Sequence, residues 1–146
     1  MGICPVEDPQ RFGIAEVKNG WVTKLTEKPS QPQGNLALVG IYYIKDPTLF
    51  KQCLKEIVEN GKKTKGEYQL TDVLQKMVEK KAKFKTFKVQ GWYDCGKIET
   101  LLESNRHLLK KNSLPQNYKN FKGAVILPPV FISKQAQVEN LIIGPF

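Results

Sequence analysis

Apolar and polar residues alternate over residues 12–28, which is typical of half-buried β-strands. The dipeptide Asn19-Gly20 interrupts this alternation, and Asn-Gly between two alternating runs is the strongest short signal for a hairpin turn. These features predict a β-hairpin that ends at Pro29. Residues 36–44 are apolar almost without alternation, which predicts a strand buried on both faces.

Three further segments have apolar residues at helical spacing. Asp46 and Pro47 suit the N-cap and the first turn of the first helix. The spacing predicts a second helix around residues 70–78 and a third over residues 97–109. Another strand is predicted over residues 84–89. Strands and helices mixed in this way predict an α/β layer.

The last part of the chain follows a different period. Residues 112–122 are rich in Ser, Pro, Gln and Asn, which predicts a linker. Beyond it, two sets of apolar residues recur every six positions. They are Ile126, Ile132 and Val138, and Val130, Ala136 and Ile142. This period predicts that residues 123–146 begin a left-handed parallel β-helix. The alternative is two edge strands packed against the α/β layer, which explains Pro128-Pro129 less well.

Length and composition narrow the class of protein. A chain of 146 residues fits one ordinary domain or part of a larger one, and 40% hydrophobic residues exclude disorder over most of it. No apolar run is long enough to cross a membrane, and the N-terminus lacks the features of a signal peptide. The three widely spaced cysteines form neither a disulfide framework nor a Cys-x-x-Cys metal site, which favours a cytoplasmic setting.

The net charge of +9 raises a second class of function. The lysines form three groups along the chain. They are Lys62, Lys63 and Lys65; Lys80, Lys81, Lys83, Lys85 and Lys88; and Lys110, Lys111, Lys119 and Lys122. Such charge suits nucleic acid or another anionic polymer. No known nucleic-acid reader motif accompanies the lysines, so a solvated basic surface is the favoured interpretation and nucleic-acid binding the alternative.

Five phrases stand in a fixed order along the chain. They are Glu7-Asp8-Pro9-Gln10-Arg11-Phe12-Gly13, Glu27-Lys28-Pro29, Ala37-Leu38-Val39-Gly40-Ile41-Tyr42, Lys65-Gly66-Glu67-Tyr68-Gln69-Leu70-Thr71-Asp72 and Trp92-Tyr93-Asp94-Cys95-Gly96-Lys97. In this order they resemble the sugar-1-phosphate nucleotidylyltransferases, most of all the glucose-1-phosphate thymidylyltransferase branch that carries a C-terminal β-helix. The resemblance covers about residues 6–109 and implies a partial Rossmann-like nucleotidyltransferase layer in residues 1–111. It also implies a reaction that makes a nucleoside diphosphate sugar and pyrophosphate from a nucleoside triphosphate and a sugar 1-phosphate.

The resemblance implies a sugar-phosphate site. Its expected residues are Gly13, Glu27, Lys28, Leu38, Gly40 and Tyr42. Lys28 would supply an ammonium charge for the phosphate, and Glu27 would accept hydrogen bonds from sugar hydroxyls. Gly13 would let a backbone N–H approach a sugar oxygen, and the other three would line the sugar pocket. From the residues alone, Glu27 and Lys28 fit a surface ion pair, Gly13 a bulge or strand entry, and the apolar strand simply core.

The resemblance also assigns Asp94 to a Mg²⁺ ion, whose preferred ligands are hard oxygens such as carboxylates. The alternative is an N-cap for the helix that starts at Lys97. The G-x-G-T-R phosphate loop of the family and its second metal-binding Asp are missing from this sequence, in which no two of the eleven glycines are separated by one residue. We therefore expect the sugar-phosphate half of a transferase, inactive alone, with none of its residues assigned as catalytic.

The remaining candidates have structural interpretations. Glu67 and Asp72 are expected to maintain loop geometry and cap the second helix, and His107 to lie on the surface. Cys95 has no activating partner in the sequence pattern. Half of an α/β layer and one β-helix coil would leave apolar surface uncovered, which predicts self-association and leaves a non-catalytic assembly module as a further alternative.

Overall fold

The structure is a computed structural model that describes residues 1–111 and 121–145. Its contacts divide the chain into two compact units, Met1–Trp92 and Tyr93–Phe146. Most of the predicted linker lies outside the described residues, so the domain boundaries drawn from the sequence stay a prediction.

A five-stranded mixed sheet forms the first unit. Its strands are β1 (Gly2–Pro5), β2 (Gly13–Lys18), β3 (Trp21–Glu27), β4 (Leu36–Leu38) and β5 (Phe87–Lys88). They lie in the order β3-β2-β4-β1-β5. Only the β1–β5 pair is parallel among the strand pairs of this sheet.

The predicted hairpin is confirmed. Strands β2 and β3 pair in antiparallel register from Lys18 opposite Trp21 to Gly13 opposite Glu27. The two turn residues have the positive φ angles that a tight hairpin turn requires, 53° at Asn19 and 77° at Gly20. The register therefore brings the last residue of β3 beside the first residue of β2.

The prediction of one strand over residues 36–44 is wrong about its length. Strand β4 ends at Leu38, and Gly40 turns the backbone with φ 81°. Beyond the turn Ile41 and Tyr43 are 52% and 82% exposed, so the segment is not buried on both faces. The turn at Gly40 explains the difference, because it interrupts the regular pairing of β4 with β1 after three residue pairs.

Two other strands also differ from the pattern. The strand predicted over residues 84–89 is reduced to the two residues of β5, preceded by a single bridge between Lys85 and Trp21. Strand β1 was not predicted, although it lies between β4 and β5. Four residues that begin with Gly2 and end with Pro5 are too few to show a period.

Two helices of the first unit contribute to a common apolar core with the sheet. Helix α1 spans Pro47–Glu59, and Asp46 caps it as predicted by accepting hydrogen bonds from the backbone N–H groups of Thr48 and Leu49. Helix α2 spans Leu70–Glu79. Buried members of the core include Ile3, Ala15, Leu25, Leu38, Cys53, Ile57, Val73, Leu74 and Met77.

The second unit contains helix α3 (Ile98–Lys111) and the short strands β6 (Val125–Ile126) and β7 (Ile142–Ile143). The strands pair in parallel, with Val125 opposite Ile142. A left-handed β-helix stays a prediction, because one two-residue pair does not define the hand of a coil. Within residues 1–111 and 121–145, no helix is both long and apolar enough to cross a membrane.

An ion cluster joins α1 to α2. Glu56 on α1 lies 2.5 Å from Lys80 Nζ and 3.2 Å from Lys76 Nζ, and Gln52 donates a hydrogen bond to its Oε1. Lys76 belongs to α2, and Lys80 is the residue immediately after the end of α2. The hydrogen bonds from Lys80 and Lys76 lower the pKa of Glu56 from 4.5 to about 2.

This pKa shift predicts a specific acid sensitivity. The folded state keeps Glu56 ionised to about pH 2, whereas the unfolded state protonates it near 4.5. The stabilisation is therefore complete above pH 4.5 and lost as the pH falls towards 2. Urea unfolding across this range should show a shallower decline in the free energy of unfolding for Glu56→Gln than for the parent chain.

Glu59→Gln is the matched control, because Glu59 pairs with Lys55 within α1 and does not bridge the helices. It should keep the pH dependence of the parent chain. An unchanged acid slope in Glu56→Gln would contradict the role of the cluster.

Candidate functional site

A carboxylate lies buried where β3 ends. The side chain of Glu27 is only 9% exposed, and the hydroxyl of Thr71 donates a 2.6 Å hydrogen bond to its Oε2. Thr71 is itself buried, in the first turn of α2. Because burial without a partner destabilises a carboxylate, this hydrogen bond both compensates Glu27 and fixes its direction.

Gly13 provides the space for this pair. The antiparallel register places it opposite Glu27. A Cβ atom at position 13 would lie 2.7 Å from Thr71 Oγ1 and 2.8 Å from Glu27 Oε2. The Glu27 carboxylate and the Thr71 hydroxyl therefore leave no room for a side chain at position 13. Gly13 is also the first residue of β2, so the predicted strand entry and a close approach are both present.

Lys28 follows Glu27 at a bend in the backbone. Its φ of 41° lies in the left-handed region, which is unusual for a residue with a side chain. Its N–H donates a 3.0 Å hydrogen bond to the carbonyl of Phe12. The ammonium Nζ lies 3.9 Å from Glu27 Oε1, and 35% of the side chain is exposed. The ion pair foreseen from the sequence exists, but its carboxylate is buried.

Two more predicted residues lie near Glu27. Burial raises the pKa of Tyr42, and the negative charge of Glu27 raises it further, so the phenol and the carboxylate interact. Leu38 is buried, and its Cδ1 would lie 3.2 Å from a Cβ at Gly13. Gly40 is different, because it is exposed and no atom lies within 4 Å of a Cβ built there.

The structure therefore groups Gly13, Glu27, Lys28, Leu38 and Tyr42, and leaves Gly40 as a turn residue. Thr71 was missed as a functional candidate. The available signal was its place in the fourth sequence phrase, but a hydroxyl's partner across the fold has no local signature.

The loop before α2 is fixed by its own polar side chains, as predicted for Glu67 and Asp72. Asp72 accepts a 2.6 Å hydrogen bond from the Thr64 hydroxyl, and Glu67 accepts one from Gln69. Asp72 lies in the first turn of α2, whereas the cap position belongs to Gln69. The expectation that Asp72 or Glu67 caps this helix is therefore wrong, since the residue before the first turn is another one.

Asp94 belongs to the second unit. A Cβ at Gly96 would lie 3.3 Å from both oxygens of its carboxylate, so the side chain lies close over the glycine. Helix α3 begins at Ile98, and an N-cap residue immediately precedes the first helical residue. Asp94 is therefore too early in the chain for the capping role that the sequence left open.

Both neighbours of Asp94 contact α3. The Tyr93 hydroxyl lies 2.8 Å from His107 Nδ1, with their rings stacked at 4.1 Å. The thiol of Cys95 donates to the Ser104 hydroxyl at 3.5 Å. His107 is thus half-buried against an aromatic ring rather than simply solvated. These contacts anchor the backbone on each side of Asp94.

The donor set suits Mg²⁺ in part. A carboxylate is a ligand that Mg²⁺ prefers, and this ion is commonly bound by one or two carboxylates together with phosphates and water. Among the described residues, no three His, Cys, Asp or Glu side chains are grouped as a complete metal site. Asp94 is a carboxylate of the type that Mg²⁺ prefers, and its role as a metal ligand stays a prediction.

Comparisons with known proteins identify the family of the chain. The sequence model of the family described as nucleotidyl transferase matches residues 1–111. The low-salt glycan biosynthesis nucleotidyltransferase Agl11 of Haloferax volcanii is 38% identical over 78% of this chain and 31% of its own length. The glucose-1-phosphate adenylyltransferase of Bacillus subtilis is 33% identical over 94% of this chain and 37% of its own.

Two thymidylyltransferases are also similar to this chain. The glucose-1-phosphate thymidylyltransferase of Streptomyces antibioticus is 31% identical over 96% of this chain and 39% of its own length. A solved structure described as a glucose-1-phosphate thymidylyltransferase from Bacillus anthracis is 28% identical, with a TM-score of 0.53 over 71% of this chain and 40% of its own. The chain belongs to the nucleotidyl transferase family. It spans between three and four tenths of the length of these relatives.

The geometry at Gly13 predicts the effect of one added methyl group. Gly13→Ala should displace Thr71 or Glu27 and reduce the free energy of unfolding by about 1–3 kcal/mol. Gly34→Ala is the control, because no atom lies within 4 Å of a Cβ there and its φ is not positive. Urea unfolding measures both. Equal stabilities of the two variants would contradict the steric requirement at Gly13.

Proposed function

We propose that this chain is the sugar-phosphate-binding part of a nucleotidyltransferase that makes a nucleoside diphosphate sugar and pyrophosphate. The observation that carries the proposal is the buried Glu27 carboxylate, directed by Thr71 and followed by the partly exposed ammonium of Lys28. A carboxylate for hydroxyl groups beside a cation for a phosphate matches the two ends of a sugar 1-phosphate.

The two charged groups have separate roles in this proposal. Glu27 Oε2 already accepts from Thr71, so its Oε1 accepts from a sugar hydroxyl. Lys28 Nζ, 3.9 Å from the same oxygen, turns from Glu27 to the phosphate. Tyr42 is proposed to line the sugar pocket, and its phenol stays protonated at neutral pH, since burial and the charge of Glu27 raise its pKa. It can therefore donate a hydrogen bond to the sugar.

The reaction itself requires alignment more than covalent help from the protein. An oxygen of the sugar 1-phosphate attacks the α-phosphorus of the nucleoside triphosphate. A new P–O bond forms as the bond from the α-phosphorus to the bridging oxygen breaks, and pyrophosphate leaves. The chain's part is to orient the sugar phosphate and neutralise its charge.

Asp94 is proposed as one ligand of a Mg²⁺ ion. When bound, the ion would neutralise the phosphate oxygens that must approach each other. The contacts of Tyr93 and Cys95 with α3 support the role, since they fix the backbone around the carboxylate.

The nucleotide is proposed to bind outside this sequence, which contains no G-x-G-T-R loop. Without that loop we expect no turnover by the chain alone, because isolated lysines do not replace a cradle of backbone N–H groups. The Gly66-Glu67-x-x-Leu70-Thr71-Asp72 phrase and the thymidylyltransferase relatives support a dTDP-glucose-type product.

The cytoplasmic setting and self-association stay predictions. Four exposed apolar side chains of α3 support self-association. They are Ile98, Leu101, Leu102 and Leu108.

Binding to the chain itself tests the role of Lys28. Glucose 1-phosphate, titrated calorimetrically, should bind the parent chain, and Lys28→Ala should weaken this binding by about 1.5–3 kcal/mol, or about ten- to 150-fold. Lys51→Ala removes an exposed lysine from α1 and serves as the control. Glucose should bind Lys28→Ala and the parent chain equally weakly. A parallel loss for both ligands would show a structural role for Lys28.

The second functional prediction concerns Asp94 in an enzyme reassembled with a nucleotide-binding segment. Asp94→Asn should lower kcat far more than it weakens sugar-phosphate binding, and excess Mg²⁺ or Mn²⁺ should reduce the deficit. Glu103→Gln, the same charge change on α3, should keep the parent rate. If Asp94→Asn worked at the parent rate in limiting Mg²⁺, Asp94 would not be a metal ligand.

A further inference from the structure

An open groove of about 790 Å³ on the first unit is lined by five lysines. It lies between the start of β3, the segment before α1 and the segment from Lys80 to Phe87 that follows α2. We call it the lysine groove, after the lining residues Lys45, Lys81, Lys83 and Lys85. None of the residues assigned to the sugar-phosphate site lines it.

Most lysines of the groove form no ion pair within the described part of the chain. Lys80, which also lines it, is paired with Glu56. Asp46, the one carboxylate in its lining, is used to cap α1. The other four lysines are exposed, and none of them forms an ion pair with a residue in 1–111 or 121–145. They are Lys45, Lys81, Lys83 and Lys85. The groove is therefore complementary to an anion.

Aromatic faces accompany this charge. Trp21 is 39% exposed, and Lys83 Nζ and Lys85 Nζ lie 6.0 and 5.0 Å from the centre of its ring. Tyr43 and Phe87, which also line the groove, are 82% and 50% exposed. A ligand that carries phosphates and flat rings would use both features.

We propose that the lysine groove binds single-stranded nucleic acid, with phosphates along the lysines and bases against the exposed aromatic rings. Residues 83–88 read Lys-Phe-Lys-Thr-Phe-Lys, and the exposed Lys83, Lys85 and Phe87 of this segment all line the groove. An acidic peptide would match the charge but leave the ring faces unused. A duplex would also present only phosphates to the groove, since its bases are stacked inside.

The test uses the 146-residue chain and a fluorescent oligothymidylate of about 12 nucleotides at about 50 mM salt. Fluorescence anisotropy should detect binding. Lys83→Gln/Lys85→Gln should weaken it at least about tenfold and reduce the slope of log affinity against log salt by about 1.4. Lys51→Gln/Lys62→Gln, which removes the same charge from exposed positions outside the groove, should change affinity less than about twofold.

Tryptophan fluorescence locates the bound strand. The chain has two tryptophans, so Trp92→Phe leaves Trp21 as the sole reporter. Its emission should be quenched by the oligothymidylate and not by a poly-glutamate peptide. Equal losses in both double-lysine variants, an unquenched Trp21, or equally tight binding of poly-glutamate would overturn the proposal. Glucose 1-phosphate binding to Lys83→Gln/Lys85→Gln separates this outcome from a failure of the sugar-phosphate site, because that binding should stay unchanged.

Discussion

The hydrogen bond between the Thr71 hydroxyl and the Glu27 carboxylate is the constraint on which the candidate site depends. A buried carboxylate needs a donor, and the donor must come from α2 because the end of β3 lies beside its first turn. The same two elements are joined again where Leu25 N–H donates to Gln75 Oε1 at 2.8 Å. Sheet and helix are thereby aligned at two levels, and Gly13 is the residue that lets them approach.

Charge is distributed unevenly over the first unit. Glu56 pairs with two lysines where α1 meets α2, and Glu27 pairs with Lys28 at the end of β3. Carboxylates used in this way are not available to the lysines of the groove. With 23 basic and 14 acidic side chains, some positive surface must stay unneutralised, and the fold gathers part of it beside Trp21. The basic composition thus has a definite location in the structure.

Local signals in the sequence were sufficient for the hairpin and for α1. Asn19-Gly20 forms the hairpin turn and Asp46-Pro47 begins α1, and both act only on neighbouring residues. The length of β4 and the existence of β1 could not be predicted, because each depends on pairing with a strand that is distant in the sequence. The site followed the same division. Glu27 and Lys28 were predicted as site residues from a short phrase, whereas the hydroxyl that directs Glu27 lies 44 residues away.

The backbone angle of Lys28 has an evolutionary consequence. At φ 41° a lysine is less favourable than glycine or asparagine, so drift towards stability alone would replace it. Recognition of an anion requires the ammonium, which neither of those residues supplies. In the proposed role of Lys28, selection for a stable fold and selection for phosphate binding therefore favour different residues at this position. Under this proposal, a relative that no longer binds sugar phosphate should lose the lysine early and retain Pro29.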